Sequence, residues 1–121
     1  MARILHIEDD SANRLLVRKI LTPAGFDVID AADGLEGIRK AISDHPDLVL
    51  VDIAIPGLDG YEVTLRLRAE PHLRHVPIVA ITAKAMKGDR QKCIDAGASD
   101  YIAKPVDTDQ LLSLMRVWLY R

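Results

Sequence analysis

The sequence predicts an α/β protein: a doubly wound, five-stranded parallel sheet with helices on both faces. Short apolar, β-prone runs recur at Ile4 to Ile7, Val28 to Ile29, Leu48 to Val51, Ile78 to Ile81 and Tyr101 to Ala103. Segments with helical spacing separate them, and strands that alternate with helices pair in parallel. The chain has 121 residues with no repeat, low-complexity tract or linker, so residues 1–121 are expected to form one domain around its own core.

The first strand ends in Glu8, Asp9 and Asp10. A helix is expected over residues 11–22, with Ala12, Leu16 and Ile20 as its inward stripe and Pro23 and Gly25 as its stop. In the second helix Asp33 and Glu36 form an acidic capping box, Leu35, Ile38 and Ile42 form the stripe, and His45-Pro46 closes it. Residues 61–69 alternate with a two-residue period, Val63, Leu65 and Leu67 against Thr64, Arg66 and Arg68, which is a strand pattern. A helix is nevertheless expected there, because parallel neighbours need a crossover and Asp59 with Glu62 supplies a capping pair. The fourth helix is expected to reach Ala96, with Gly97 as a left-handed cap. The last starts at Asp107, with Gln110 three residues on, and carries Leu111, Met115 and Trp118 on one face.

Composition narrows the function. The chain is 49% hydrophobic and 28% charged, as an ordinary globular protein is, which argues against disorder. Lysine and arginine total 16 against 18 acidic residues, without a basic cluster, so no nucleic-acid partner is expected. Cys93 is the one cysteine, which excludes an intrachain disulfide and a thiolate metal site and suits a reducing compartment. An acidic cluster by residue 8 leaves no room for a signal peptide, and no apolar run is long enough to span a bilayer, so the cytoplasm is the expected location and no membrane partner is expected.

Asp52 sits inside an apolar run, in LVLVDIAIPGLDG, where a buried strand normally excludes charge. In open parallel sheets ligands bind beyond the carboxyl ends of the strands. There the sequence places Glu8, Asp9 and Asp10 after strand one, Asp52 at the end of strand three, Thr82 after strand four and Lys104 after strand five. Taken singly, each has an ordinary explanation: a helix cap, a turn aspartate, a structural threonine, a solvated lysine. Together they form a site. Clustered carboxylates raise one another's pKa unless a cation joins them, and an all-oxygen donor set favours Mg²⁺. Lys104 can pair with Asp52 first and with phosphoryl oxygens afterwards.

ILHIEDD, LVLVDIAIPGLDG, IVAITA and GASDYIAKP resemble the acidic, phosphoacceptor, switch-threonine and lysine segments of the response regulator receiver domains of two-component signalling, the CheY-like family. The resemblance covers essentially the whole chain and implies strand order 2-1-3-4-5. It implies Asp52 as phosphoacceptor, Glu8, Asp9, Asp52 and the Ala54 backbone oxygen as Mg²⁺ ligands, Lys104 as the phosphoryl contact, and Thr82 and Tyr101 as the switch pair. It also implies a cis Lys104-Pro105 bond and a helix-capping role for Asp10.

By the same resemblance the phosphoryl donor is a histidine kinase or a histidine phosphotransfer protein, and a downstream protein reads the surface of the fourth helix, fifth strand and fifth helix. Tyr101, Met86, Cys93, Trp118 and Tyr120 are candidates for that surface, and a monomer or weak homodimer is expected, joined through the fourth helix or Trp118-Leu119-Tyr120. Lys84 occupies a position that resembles the family's rate-tuning sites. His6 replaces an aliphatic residue and is expected to be packed with its hydrogen bonds satisfied. His45, His72 and His75 are expected to face solvent. No effector domain is expected, although a receiver cut from a hybrid kinase is an alternative. A small aspartate-nucleophile phosphatase is another, disfavoured because Ala54 stands where that class resembles an aspartate acid-base.

Overall fold

The computed structural model describes residues 1–83 and 88–120; Lys84 and Met86 lie outside them. The elements are β1 (Arg3–Ile7), α1 (Ser11–Leu21), β2 (Asp27–Ala31), α2 (Gly34–Asp44), β3 (Leu48–Asp52), α3 (Gly60–Ala69), a 3-10 turn (Pro71–Leu73), β4 (Ile78–Thr82), α4 (Asp89–Asp95), β5 (Asp100–Ala103) and α5 (Thr108–Leu119). All strand pairs are parallel, in the order β2-β1-β3-β4-β5. The winding reverses beside β1, which brings the carboxyl ends of β1 and β3 next to each other.

The central strands read as continuous apolar runs because both faces of a parallel sheet are covered. Ile4, Leu48, Leu50, Val79, Ile81 and Ile102 pack with Val17 of α1 and Leu111 and Met115 of α5. The opposite face sets Leu5, Ile7, Val49, Val51 and Ile78 against Ala41 of α2 and Val63 and Leu67 of α3. Burying Val63 and Leu67, four residues apart, overrides the two-residue alternation of this segment, while Leu65 stays half exposed. Asp10, Asp33, Asp59 and Asp107 each cap a helix by accepting a backbone N–H. His45 closes α2 in the left-handed region, and Gly97, at φ +109°, follows α4.

Two helices turn differently from their expected stripes. In α1 the inward residues are Val17 and Leu21 with Ile20 beside them, while Ala12 and Leu16 are exposed. In α2 they are Gly34, Gly37 and Ala41, while Leu35 and Ile42 are exposed and Ile38 only partly covered. The reason is close approach: a Cβ on Gly37 would collide with the Ile7 side chain, so small residues, not large ones, face the sheet. His45, His72 and His75 are exposed, as expected.

His6 departs from expectation in another way. It is buried, but neither ring nitrogen has a hydrogen-bond partner among the described residues. Burial lowers its pKa to about 4, against the partial opposition of Asp30 and Asp52, so the ring is neutral at physiological pH.

Arg68, in the last turn of α3, ties distant segments together. Its guanidinium donates to the carbonyls of Gly97 (2.8 Å), Leu73 (3.0 Å) and Val76 (2.7 Å) and to Ser99 Oγ (3.0 Å). Replacing it with methionine preserves the aliphatic stem and orphans these acceptors. Arg68→Met is expected to lower the unfolding free energy by roughly 2–4 kcal/mol in urea titrations. A loss below about 0.5 kcal/mol, the range of an ordinary surface change, would contradict this role.

Candidate functional site

The carboxyl ends of β1, β3 and β5 converge on one lysine. Lys104 Nζ donates to Glu8 Oε1 at 3.0 Å and to Asp52 Oδ2 at 2.9 Å. Both acids are buried, whereas Asp9 beside them is exposed. One carboxylate oxygen from each of Glu8, Asp9 and Asp52 lies within 4.8 Å of the others. Asp10 turns away to cap α1, accepting from the Ala12 N–H at 2.8 Å.

Backbone contacts hold these side chains in place. Asp52 Oδ1 accepts from the Ala54 N–H at 3.1 Å, and the Ile53 N–H bonds to the Ile81 carbonyl at 2.9 Å. The Lys104 N–H bonds to the Thr82 carbonyl at 2.7 Å, which anchors the lysine loop to the end of β4, and the Lys104-Pro105 bond is cis. Thr82 is buried at the same edge. Tyr101 is partly buried on β5, packs beside Ala80, Cys93 and Ala98, and lies 5.8 Å from the Arg90 guanidinium carbon.

The charges do not balance. Burial pushes the Glu8 carboxyl up to about 7, and its hydrogen bond with Asp52 adds to this against the pull of Lys104. Burial also works against an ionised Asp52, but hydrogen bonds from Glu8, Lys104 and the Ala54 N–H outweigh it and bring its pKa below the ordinary value. Desolvation opposes the Lys104 charge and is overcome by the two carboxylates, which raise its pKa. Below pH 7 one proton is therefore held between Glu8 and Asp52. A hard dication taking oxygen ligands would replace that proton, and the three clustered carboxylates fit one.

Two of the residues expected on the output face lie partly or wholly inside it. Cys93 is buried and its thiol pKa is raised by desolvation, so it does not belong to a surface. Trp118, on α5, is half-buried, packs against the core and donates to Asp100 Oδ2 at 3.1 Å. Tyr120 is exposed. Two positioning residues had no visible motif. Arg14 donates to the Glu8 carbonyl at 2.7 Å from α1. Gly60 lets α3 start against the loop after β3, because a Cβ there would stand 2.6 Å from the Asp52 carbonyl oxygen.

Fold and site together define a class: a single-sheet α/β domain whose acidic pocket, at the carboxyl edge, confronts a lysine. Residues 4–116 match the family model of the response regulator receiver domain, and the chain belongs to that family, a signalling domain of two-component systems. The polar-differentiation response regulator DivK of Brucella ovis is 36% identical over 116 residues, covering 96% of this chain and 94% of that protein. The response regulator PleD of Caulobacter vibrioides is 40% identical over 115 residues, which are 95% of this chain and 25% of PleD.

Among solved structures, the receiver domain of the sensor histidine kinase PA1611 from Pseudomonas aeruginosa PAO1, described with a magnesium ion in its active-site cleft, is 38% identical. It superimposes with a TM-score of 0.92 over 99% of this chain and 98% of that one. The Vibrio cholerae chemotaxis protein CheY4 gives 0.94 at 28% identity, covering 98% and 99%. No helix among the described residues is long and apolar enough to cross a membrane.

The raised Glu8 pKa has a consequence for stability. Between about 4.5 and 7 the unfolded carboxyl gives up its proton while the folded one keeps it, so rising pH across that window favours unfolding. Glutamine keeps an acceptor for Lys104 and has no proton to lose. Without divalent cations, Glu8→Gln is expected to exceed wild type at pH 7.5 by about 1–2 kcal/mol and to flatten the decline between pH 5 and 7 in denaturant titrations. A variant less stable than wild type at pH 7.5 would refute the buried charge excess.

Proposed function

We propose that this chain accepts a phosphoryl group on Asp52 from a phosphohistidine of a histidine kinase or phosphotransfer protein, and passes the signal on by protein contact in the cytoplasm. The observation that carries this reading is the Lys104 ammonium shared between buried Glu8 and Asp52 at the sheet edge. Asp52 is the nucleophile: an oxygen of its carboxylate forms a bond to phosphorus as the donor's P–N bond breaks, and the imidazole leaves with the electron pair and takes up a proton. Lys104 already lies within hydrogen-bond distance of the attacking carboxylate and can shift its donors to the arriving phosphoryl oxygens. Water attack on the same phosphorus later restores the aspartate.

Glu8, Asp9 and Asp52 would hold Mg²⁺ together with the Ala54 carbonyl. Bound there, the ion would supply positive charge against the charge that develops on the transferring group. The all-oxygen cluster and the family membership support this choice. Thr82 is the hydroxyl that engages the phosphoryl group, and Tyr101, on the neighbouring strand β5 in register with Ala80, carries the change to the surface of α4, β5 and α5. This requires only a two-state equilibrium biased by differential contacts. The domain turns over no separate substrate, and it works as a monomer or weak homodimer. The likeness to a kinase-borne receiver supports a second setting, in which the same switch serves within a hybrid kinase.

Incubation with Mg²⁺ and acetyl phosphate is expected to add one labile phosphoryl group by intact mass, absent in Asp52→Asn and after chelation by EDTA. Turnover of a phosphomonoester without an adduct would favour a phosphatase instead. Thr82→Ala is expected to retain the adduct but to weaken, by roughly five- to 150-fold, the phosphorylation-dependent gain in partner affinity. An unchanged gain would remove Thr82 from the switch.

A further inference from the structure

An open groove of about 520 Å³ runs between α2 and α3 on the outside of the molecule. Leu35, Ile38 and Ile42 line it from α2, spaced three and four residues apart and therefore on one stripe of that helix, and Ala69 lines it from α3. Leu35 is 63% exposed and Ile42 38%. Gly34, Gly37 and Ala41 take the inward positions of α2, so its large apolar side chains are left facing water. A contiguous apolar stripe on the solvent side of a helix marks a contact surface more often than a scattered leucine does.

Two charges of opposite sign on this groove lack partners. Arg39 lies on α2 between Leu35 and Ile42, and Glu70 caps the end of α3. Neither side chain makes an ion pair or hydrogen bond among the described residues, whereas Arg66, the other charged residue of the groove, is paired with Glu62 at 3.3 Å. An acidic partner would answer Arg39 and set a like charge against Glu70, and a basic partner would do the reverse. A second copy of the same face, related by a two-fold axis, answers both, because an isologous contact makes each residue pair twice.

We propose that the α2–α3 face is a dimerisation surface of this chain, in which Leu35, Ile38 and Ile42 of two copies pack together and Arg39 of each pairs with the partner's Glu70. The contact lies on a different face from α4 and from Trp118-Leu119-Tyr120. No residue of the groove belongs to the acidic pocket or to α4, β5 or α5. The proposal therefore goes beyond phosphoryl transfer and does not rest on it.

The test is sedimentation equilibrium of the whole, unphosphorylated chain, with concentration-dependent amide NMR shifts to locate the contact. A reversible dimer with Kd between roughly 10 μM and 1 mM is expected, with shifts around residues 35, 38, 42 and 69. Leu35→Asp and Arg39→Glu, both at exposed positions, are expected to fold and to weaken the dimer about tenfold or more. Arg39→Glu combined with Glu70→Arg is expected to return Kd to within about threefold of wild type, since the exchanged charges meet again. A chain that stays monomeric to about 1 mM, which would leave the groove to some other partner, overturns the proposal. So do a dimer indifferent to Arg39→Glu, a double variant as weak as the single one, or shifts confined to residues 89–103 or 118–120.

Discussion

One ammonium holding two buried carboxylates is the constraint on which the rest of the site depends. Lys104 reaches across from the end of β5 to acids at the ends of β1 and β3. An unpaired ion at these depths would cost several kcal/mol, so each of the three groups is held in place by the others. The pair is nevertheless one positive charge short, and burial, with the hydrogen bond to Asp52 adding to it, leads Glu8 to hold its proton to about pH 7. A site arranged in this way is prepared for added positive charge, and then for a group that competes for the lysine.

The sheet makes this arrangement possible. Parallel order puts all five carboxyl ends on one edge, and the placement of β1 between β2 and β3 brings Glu8 and Asp52 together. Backbone hydrogen bonds then extend the coupling, from Asp52 through Ile53 to β4 and from Lys104 to the Thr82 carbonyl. A change at Asp52 therefore falls on the strand that carries Thr82, beside the strand that carries Tyr101. Gly60 contributes by having no side chain, so that the start of α3 seats against the Asp52 carbonyl.

The strands and the acidic site were legible in the sequence for a shared reason. Buried parallel strands leave continuous apolar runs, and an ionisable residue that interrupts or follows such a run stands out. Helix faces were less legible. In α2 the large residues Leu35 and Ile42 look like the buried stripe, but tight approach to Ile7 selects Gly37 and tight approach to Val63 and Leu58 selects Gly34, with Ala41 buried on the same side. In α3 a strand-like alternation gave way to the crossover that parallel pairing demands. Contacts such as Arg68 to Gly97, or Arg14 to the Glu8 carbonyl, leave no local pattern because their acceptors are backbone atoms brought close only by the fold. The nitrogens of His6, without partners among the described residues, were likewise invisible, since only the packed structure shows how polar atoms are paired.

The charge deficit at the centre of the site is most directly measured by titrating the Glu8 side-chain carboxyl by carbon-detected NMR, with and without saturating Mg²⁺. A midpoint near 7 in metal-free protein that falls to or below the ordinary value of 4.5 with the ion is the expected result. A midpoint near 4.5 in both conditions would contradict the reading of the Glu8–Asp52–Lys104 cluster as a site awaiting positive charge.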